Sequence, residues 1–128
     1  MTATRRALVI EDSPTMRQLI TLALRRIPGL SFVEAADGAQ ALEHLEHDRF
    51  DVVLLDLNMP VMNGFAFLEA MVAAHPPEAR PPVIVVSTES GRGDVQRATA
   101  LGVVEYVTKP VRGPDLAAAV NRVLAARA

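Results

Sequence analysis

The sequence has no cysteine and no tryptophan, one tyrosine, and one lysine against twelve arginines. Without cysteine there are no disulfides, no thiol nucleophile and no zinc–thiolate site. No apolar run approaches the ~20 residues that a membrane-spanning helix needs. Arg5-Arg6 is followed by only four apolar residues before Glu11, too few for a signal peptide. The formal net charge of −2 gives no global attraction to nucleic acid or to an anionic membrane. These absences predict a cytoplasmic chain with neither nucleic acid nor membrane as partner. What is present is 128 residues, 50% of them apolar and 22% charged, the composition of one folded domain. Such a composition excludes a disordered chain. One domain over residues 1–128 is the expectation.

Five short apolar runs alternate with helix-like patterns. The first run, Ala7-Leu8-Val9-Ile10, ends in Glu11-Asp12. Ser13-Pro14 then reads as a helix cap followed by proline at the first helical position. Met16, Leu19, Ile20 and Ala23 follow at helical spacing, and Pro28-Gly29 stops the pattern. Residues 31–35 read as a second strand. After the Asp37-Gly38 turn signal, Gly38, Ala41, Leu42 and Leu45 mark one helix face. Val52-Val53-Leu54-Leu55 runs without interruption into Asp56, as suits a strand covered on both faces.

Phe65, Leu68 and Val72 are again helix-spaced, and residues 75–82 hold four of the nine prolines. Val83-Ile84-Val85-Val86 ends in Ser87-Thr88, and residues 94–101 carry Val95 and Ala98 as a short helix. Residues 103–107 form a fifth strand before Thr108-Lys109-Pro110, and Pro114 opens the last helix. An alternating βα order implies a parallel sheet with helices on both faces. Right-handed crossovers then point all strands one way, so that their carboxyl ends line one edge of the sheet.

That edge collects a selective set of polar groups: Glu11, Asp12, Asp56, Ser87, Thr88 and Lys109. Two carboxylates ~4–5 Å apart repel by roughly 3–4 kcal/mol at an effective dielectric of 20. A divalent cation and the ammonium of Lys109 would each relieve that repulsion. Oxygen ligands without histidine or cysteine favour Mg²⁺ or Mn²⁺. A carboxylate, a metal, a cation and a hydroxyl around one phosphate-sized space are the parts of phosphoryl transfer, with Asp56 as a nucleophile that forms an aspartyl phosphate. Each residue alone has a bland reading as a cap, a turn or a solvated loop. Their coincidence at four strand ends, with the only lysine among them, favours the chemical one.

Other patterns fail. Asp56-x-Asn58 opens like a calcium loop, but Val61 and Phe67 stand where Gly and Glu are required. Gly91-x-Gly93 is followed by Gln96, not the third glycine of a dinucleotide fingerprint. His44, His47 and His75 are expected on helices away from the carboxyl edge.

Val9-Ile10-Glu11-Asp12-Ser13, Leu54-Leu55-Asp56-Leu57-Asn58-Met59-Pro60 with Asn63-Gly64, Val85-Val86-Ser87-Thr88, and Tyr106-Val107-Thr108-Lys109-Pro110 resemble the receiver domain of two-component response regulators, of the CheY-like single-domain type. The resemblance covers essentially the whole chain. It implies an α/β, flavodoxin-like (βα)5 three-layer sandwich with a five-stranded parallel sheet in the order 2-1-3-4-5. It implies that Asp56 accepts a phosphoryl group from a sensor histidine kinase or a phosphotransfer protein. Asp12, Asp56 and the main-chain carbonyl of Asn58 would hold Mg²⁺, with Mn²⁺ as a substitute, and Glu11 would act on it through water. Lys109 would contact the phosphoryl group, Ser87 would move to it, and Tyr106 would change rotamer in response. Asn58 and Glu89 sit where the family tunes dephosphorylation.

Three departures stand out: Glu11 where many members have Asp, Thr88 where Ala or Gly is usual, and Val111 for the common Phe. Thr88 is expected to narrow access to Asp56. The signalling surface is expected over residues 94–101, 103–107 and 114–126, binding a downstream protein from a monomeric switch. Chemotaxis or motility follows from the resemblance alone. The opening Met1 and the closing helix lead us to expect a stand-alone protein. Two rivals are weighed against the switch. A pseudo-receiver conflicts with retention of every acid and of Lys109. A Mg²⁺-dependent phosphatase or phosphotransferase of small molecules would need a substrate cap that five βα units leave no room for.

Overall fold

The computed structural model describes residues 4–59, 61–88 and 91–127. Ten main elements alternate: β1 (Arg5–Ile10), α1 (Pro14–Leu24), β2 (Leu30–Ala35), α2 (Gly38–His47), β3 (Val52–Leu55), α3 (Gly64–Ala74), β4 (Val83–Ser87), α4 (Arg92–Ala100), β5 (Val103–Thr108) and α5 (Gly113–Arg127). Within the proline-rich connection after α3, Pro77–Ala79 form a single 3-10 turn. All strand pairs are parallel and the order is β2-β1-β3-β4-β5. The fold class and strand order are those the resemblance implied.

The apolar runs become strands because the sheet is covered on both faces, and alternate side chains serve different cores. Ala7, Val9, Val52, Leu54, Ile84 and Val86 face α1 and α5, packing with Ile20, Leu24, Leu116 and Val120. Leu8, Ile10, Val53, Leu55, Val83 and Val85 face the other way, toward Ala41 of α2, Phe67, Leu68 and Met71 of α3 and Ala98 of α4. β3 and β4 are buried throughout, whereas the edge strands β2 and β5 are partly exposed.

Three helices start on side-chain caps. Ser13, Asp37 and Asn63 accept from the backbone N–H of Met16, Gln40 and Ala66, and Pro14 takes the first position of α1. Asp37-Gly38 is thus a helix entry as much as a turn.

Several expected boundaries move. β1 starts at Arg5, α4 at Arg92 and α5 at Gly113. His75 is the residue that ends α3, not a member of the helix. On α1 the buried side chains are Ile20, Thr21, Ala23 and Leu24, while Leu19 is 36% exposed. The reason lies in the partner: α5 begins with Gly113-Pro114, whose small bulk leaves Leu19 and Leu22 lining an open groove.

Candidate functional site

The strand order puts β1 between β2 and β3, so the chain departs in opposite directions after the adjacent strands β1 and β3, toward β2 from one and toward β4 from the other. A crevice at the carboxyl ends forms at such a switch. Glu11 and Asp12 follow β1 and Asp56 follows β3, and the two strands stay in register to their ends. The Asp56 N–H donates to the Ile10 carbonyl at 3.0 Å, and the Glu11 N–H to the Ala35 carbonyl at 3.0 Å. Ligand atoms of Glu11, Asp12 and Asp56 lie within 4.8 Å of one another.

Glu11 and Asp56 are buried, and Asp12 is the most open of the three. The Glu11 carboxyl accepts from Lys109 Nζ at 2.9 Å and from the Ser13 N–H at 3.1 Å. Asp56 Oδ1 accepts from the Asn58 N–H at 3.2 Å and lies 3.7 Å from Lys109 Nζ. Burial pushes the Glu11 carboxyl above its usual range. The bonds from Lys109 and from the Ser13 N–H pull it back, and the charge of Asp56 pushes it further up.

Ser87 closes β4 and is fully buried, and Thr88 follows it exposed. The Lys109 N–H donates to the Ser87 carbonyl at 2.9 Å, so the ends of β4 and β5 are tied together where the ammonium leaves the backbone. The Lys109–Pro110 peptide bond is cis. The Asn58 side chain is exposed at the mouth of the site. Tyr106 pairs in register with Val85 and packs against the buried cluster on the sheet face that carries α4. Glu89 lies outside the described residues. His44 and His47 sit on α2, away from the cluster.

The cluster sets one ammonium against three carboxyl groups. Its donors are all oxygen, the ligand chemistry of a small hard divalent cation. The residues present therefore fit Mg²⁺, with Asp12 on the open side.

Arg17 was not singled out from the sequence. Its guanidinium donates to the carbonyls of Glu11 at 2.7 Å and Asp12 at 3.3 Å. A basic residue on the first turn of a helix entered from a strand end was the one available signal, and it is weak by itself.

The family model of the response regulator receiver domain matches residues 7–121. A protein-glutamate methylesterase/protein-glutamine glutaminase of Rhizobium etli is 43% identical over 116 residues, which cover 88% of this chain and 32% of that protein. Its counterpart in Anaeromyxobacter dehalogenans is 41% identical over 111 residues, 86% of this chain and 31% of the relative. The chain thus spans about a third of the length of the curated relatives it matches. Among solved structures, the chemotaxis protein CheY4 of Vibrio cholerae superposes with a TM-score of 0.85 at 34% identity, over 95% of this chain and 100% of that one. The receiver domain of a sensor histidine kinase from Pseudomonas aeruginosa, solved with a magnesium ion coordinated in its active-site cleft, superposes with a TM-score of 0.83 at 28% identity, over 96% and 99%.

Proposed function

The chain belongs to the response regulator receiver domain family, and on that premise we propose that Asp56 takes a phosphoryl group from a phosphohistidine and that the phosphorylated form binds a different protein surface. The observation that carries this reading is the meeting of Glu11, Asp12 and Asp56 with the ammonium of Lys109 at the switch in strand order. A carboxylate oxygen of Asp56 attacks phosphorus. The P–O bond forms as the P–N bond of the donor breaks, and the imidazole nitrogen keeps the electron pair. The donor is a sensor histidine kinase or a phosphotransfer protein.

Asp12, Asp56 and the carbonyl of Asn58 would hold Mg²⁺, and Glu11 would act on it through water; Mn²⁺ would substitute by its ligand preference. Supporting this are the oxygen donor set and the magnesium ion in the Pseudomonas aeruginosa relative. When bound, the cation neutralises charge on the phosphoryl oxygens. Lys109 offers a point charge to the same oxygens. Ser87 supplies a hydroxyl, and Thr88 and Asn58 line the mouth, where they set the access of water to the acyl phosphate. Glu89 shares that role.

A phosphoryl group brings extra charge and strong acceptor oxygens to the edge. Ser87 satisfies one of them by moving toward it, and Tyr106 swings into the space this motion vacates under the loop after β4. The output face is then α4, β5 and α5, residues 94–101, 103–107 and 114–126. Support comes from β5 being an edge strand, from Val104 at 56% exposure, and from the paired bonds of Arg122 to Glu105 at 2.9 and 3.0 Å that join α5 to β5. We read the chain as a monomeric cytoplasmic switch over residues 1–128 acting in chemotaxis, by analogy with Vibrio cholerae CheY4, and not as an enzyme for an outside substrate. Among the described residues no helix is long and apolar enough to cross a membrane.

Incubation with acetyl phosphate and Mg²⁺ tests the reading: one alkali-labile phosphoryl group is expected on the wild type and none on Asp56→Asn. Undiminished labelling of Asp56→Asn would sink the assignment.

A further inference from the structure

β1 ends at Ile10, and the backbone of Glu11 and Asp12 must leave the sheet to enter α1 through the Ser13 cap. A carbonyl that leaves a ladder loses its strand partner, and near a buried site it needs another. Arg17 provides one. Its Nη1 donates to the Glu11 carbonyl at 2.7 Å and to the Asp12 carbonyl at 3.3 Å, and its Nε lies 3.4 Å from Glu34 Oε1 on β2. The backbone N–H of the same residue donates to the Ser13 carbonyl at 2.9 Å, which starts the ladder of α1. The Arg17 side chain is 22% exposed, so these bonds are formed mostly out of water. One residue therefore ties the turn after β1 both to the helix that follows and to the neighbouring strand.

We propose that Arg17 is a positioning residue for the cation site: by gripping the two carbonyls it fixes the peptide planes from which the carboxyls of Glu11 and Asp12 depart. The inference rests on reading the acidic cluster as a Mg²⁺ site. A planar fork with several donors holds two carbonyls and a carboxylate at once, and a lysine ammonium on a flexible stem does not hold that geometry. Glu34 steadies the fork from the solvent side.

Charge and geometry make opposite predictions here. A guanidinium beside a cation site repels the cation, so charge alone predicts that its removal tightens Mg²⁺ binding. Positioning predicts weaker binding, because the two carboxyls lose their alignment. Supporting groups of this kind are worth about tenfold or more in metal affinity.

The test is Mg²⁺ titration of the full chain, followed by backbone amide NMR shifts, for the wild type, Arg17→Lys, Arg17→Met and the control Asp12→Ala. We expect about tenfold weaker Mg²⁺ binding in Arg17→Met. Arg17→Lys keeps the charge and is expected to fall in the same direction, with metal-free amide shifts changed at Glu11, Asp12 and Ser13. Arg17→Lys also serves if Arg17→Met does not fold. Wild-type or tighter affinity in the Arg17 variants, with binding lost in Asp12→Ala, overturns the role of Arg17 and leaves the cluster reading standing. A lower melting temperature with unchanged affinity of the folded protein also overturns it, since that is what a purely structural clamp would show. Wild-type Mg²⁺ binding by Asp12→Ala would remove the cluster reading and this inference with it.

Discussion

The ammonium of Lys109 lies 2.9 Å from Oε1 of Glu11, a side chain 98 positions away and only 1% exposed. Its distance to Asp56 Oδ1 is longer, 3.7 Å. The closer partner of Lys109 is therefore Glu11, the more deeply buried of the two acids, and Asp56 is the looser partner. Removing one member of a buried pair leaves a stranded charge, at a cost of about 3 kcal/mol. Lys109→Met should lower stability by about that much, and Glu11→Gln in the same chain should recover most of it.

The pH dependence of that loss has a definite sign. The Glu11 carboxyl is already raised by burial, and without Lys109 it rises further. A carboxyl raised on folding costs stability above its folded value, and the cost is relieved as pH falls through that value. The deficit of Lys109→Met should thus be largest near neutrality and shrink on mild acidification. Urea denaturation of both proteins across that range checks it, and a pH-independent deficit would contradict the account.

Mg²⁺ should stabilise the folded state alone, by about 2.7 kcal/mol at a hundredfold excess over its dissociation constant. Thermal melts with and without Mg²⁺ should show this for the wild type and not for Asp12→Ala. In the absence of metal Asp12→Ala should melt higher than the wild type, because one of three clustered carboxylates is gone. Equal Mg²⁺-induced shifts in the two proteins would count against Asp12 as a ligand.

Gly64 opens α3 where a Cβ would stand 2.6 Å from Leu57 Cα and 2.7 Å from the Asp56 carbonyl oxygen. Both are backbone atoms, so the strain cannot be shed by a side-chain rotation. Gly64→Ala should cost about 1–3 kcal/mol, as overpacking typically does. It should also slow labelling of Asp56 by acetyl phosphate, because the segment that must shift carries Asp56 itself. A variant as stable and as fast as the wild type would show that the loop gives freely.

The coupling from Asp56 to a partner should run through Ser87 and Tyr106. Ser87→Ala and Tyr106→Ala are expected to weaken partner binding that depends on phosphorylation, while Asp56 is still labelled. Backbone NMR shifts on adding beryllofluoride should concentrate on α4, β5 and α5. Shifts confined to the turns after Asp12 and Asp56, with Tyr106 silent, would place the output face elsewhere.

Much of this was legible along the chain. Ser13-Pro14 announced the cap of α1, and the uninterrupted run of residues 52–55 announced a strand covered on both faces. The polar residues at the strand ends were readable because each lies within two residues of the end of its strand-like run. The exposure of Leu19 and the burial of Thr21 were not, since helical spacing gives a period and leaves the phase to whatever packs alongside. The order β2-β1-β3-β4-β5 was expected from the family resemblance, not from the residues.

By itself, then, the sequence determined the kind and succession of the elements and the identity of the chemical groups at their ends. Capping, turn formation and side-chain alternation are set within a few residues, so each segment carries its own signal. The tertiary structure alone decided that β1 lies beside β3, which brings Glu11 and Asp12 to Asp56, and that Lys109 sits nearer Glu11 than Asp56. It alone turned the Arg17 side chain back onto two carbonyls at the end of β1. Distances between residues far apart in the chain follow from strand order and register. Those in turn follow from how two cores close on opposite faces of one sheet, and no local run of residues encodes that closure.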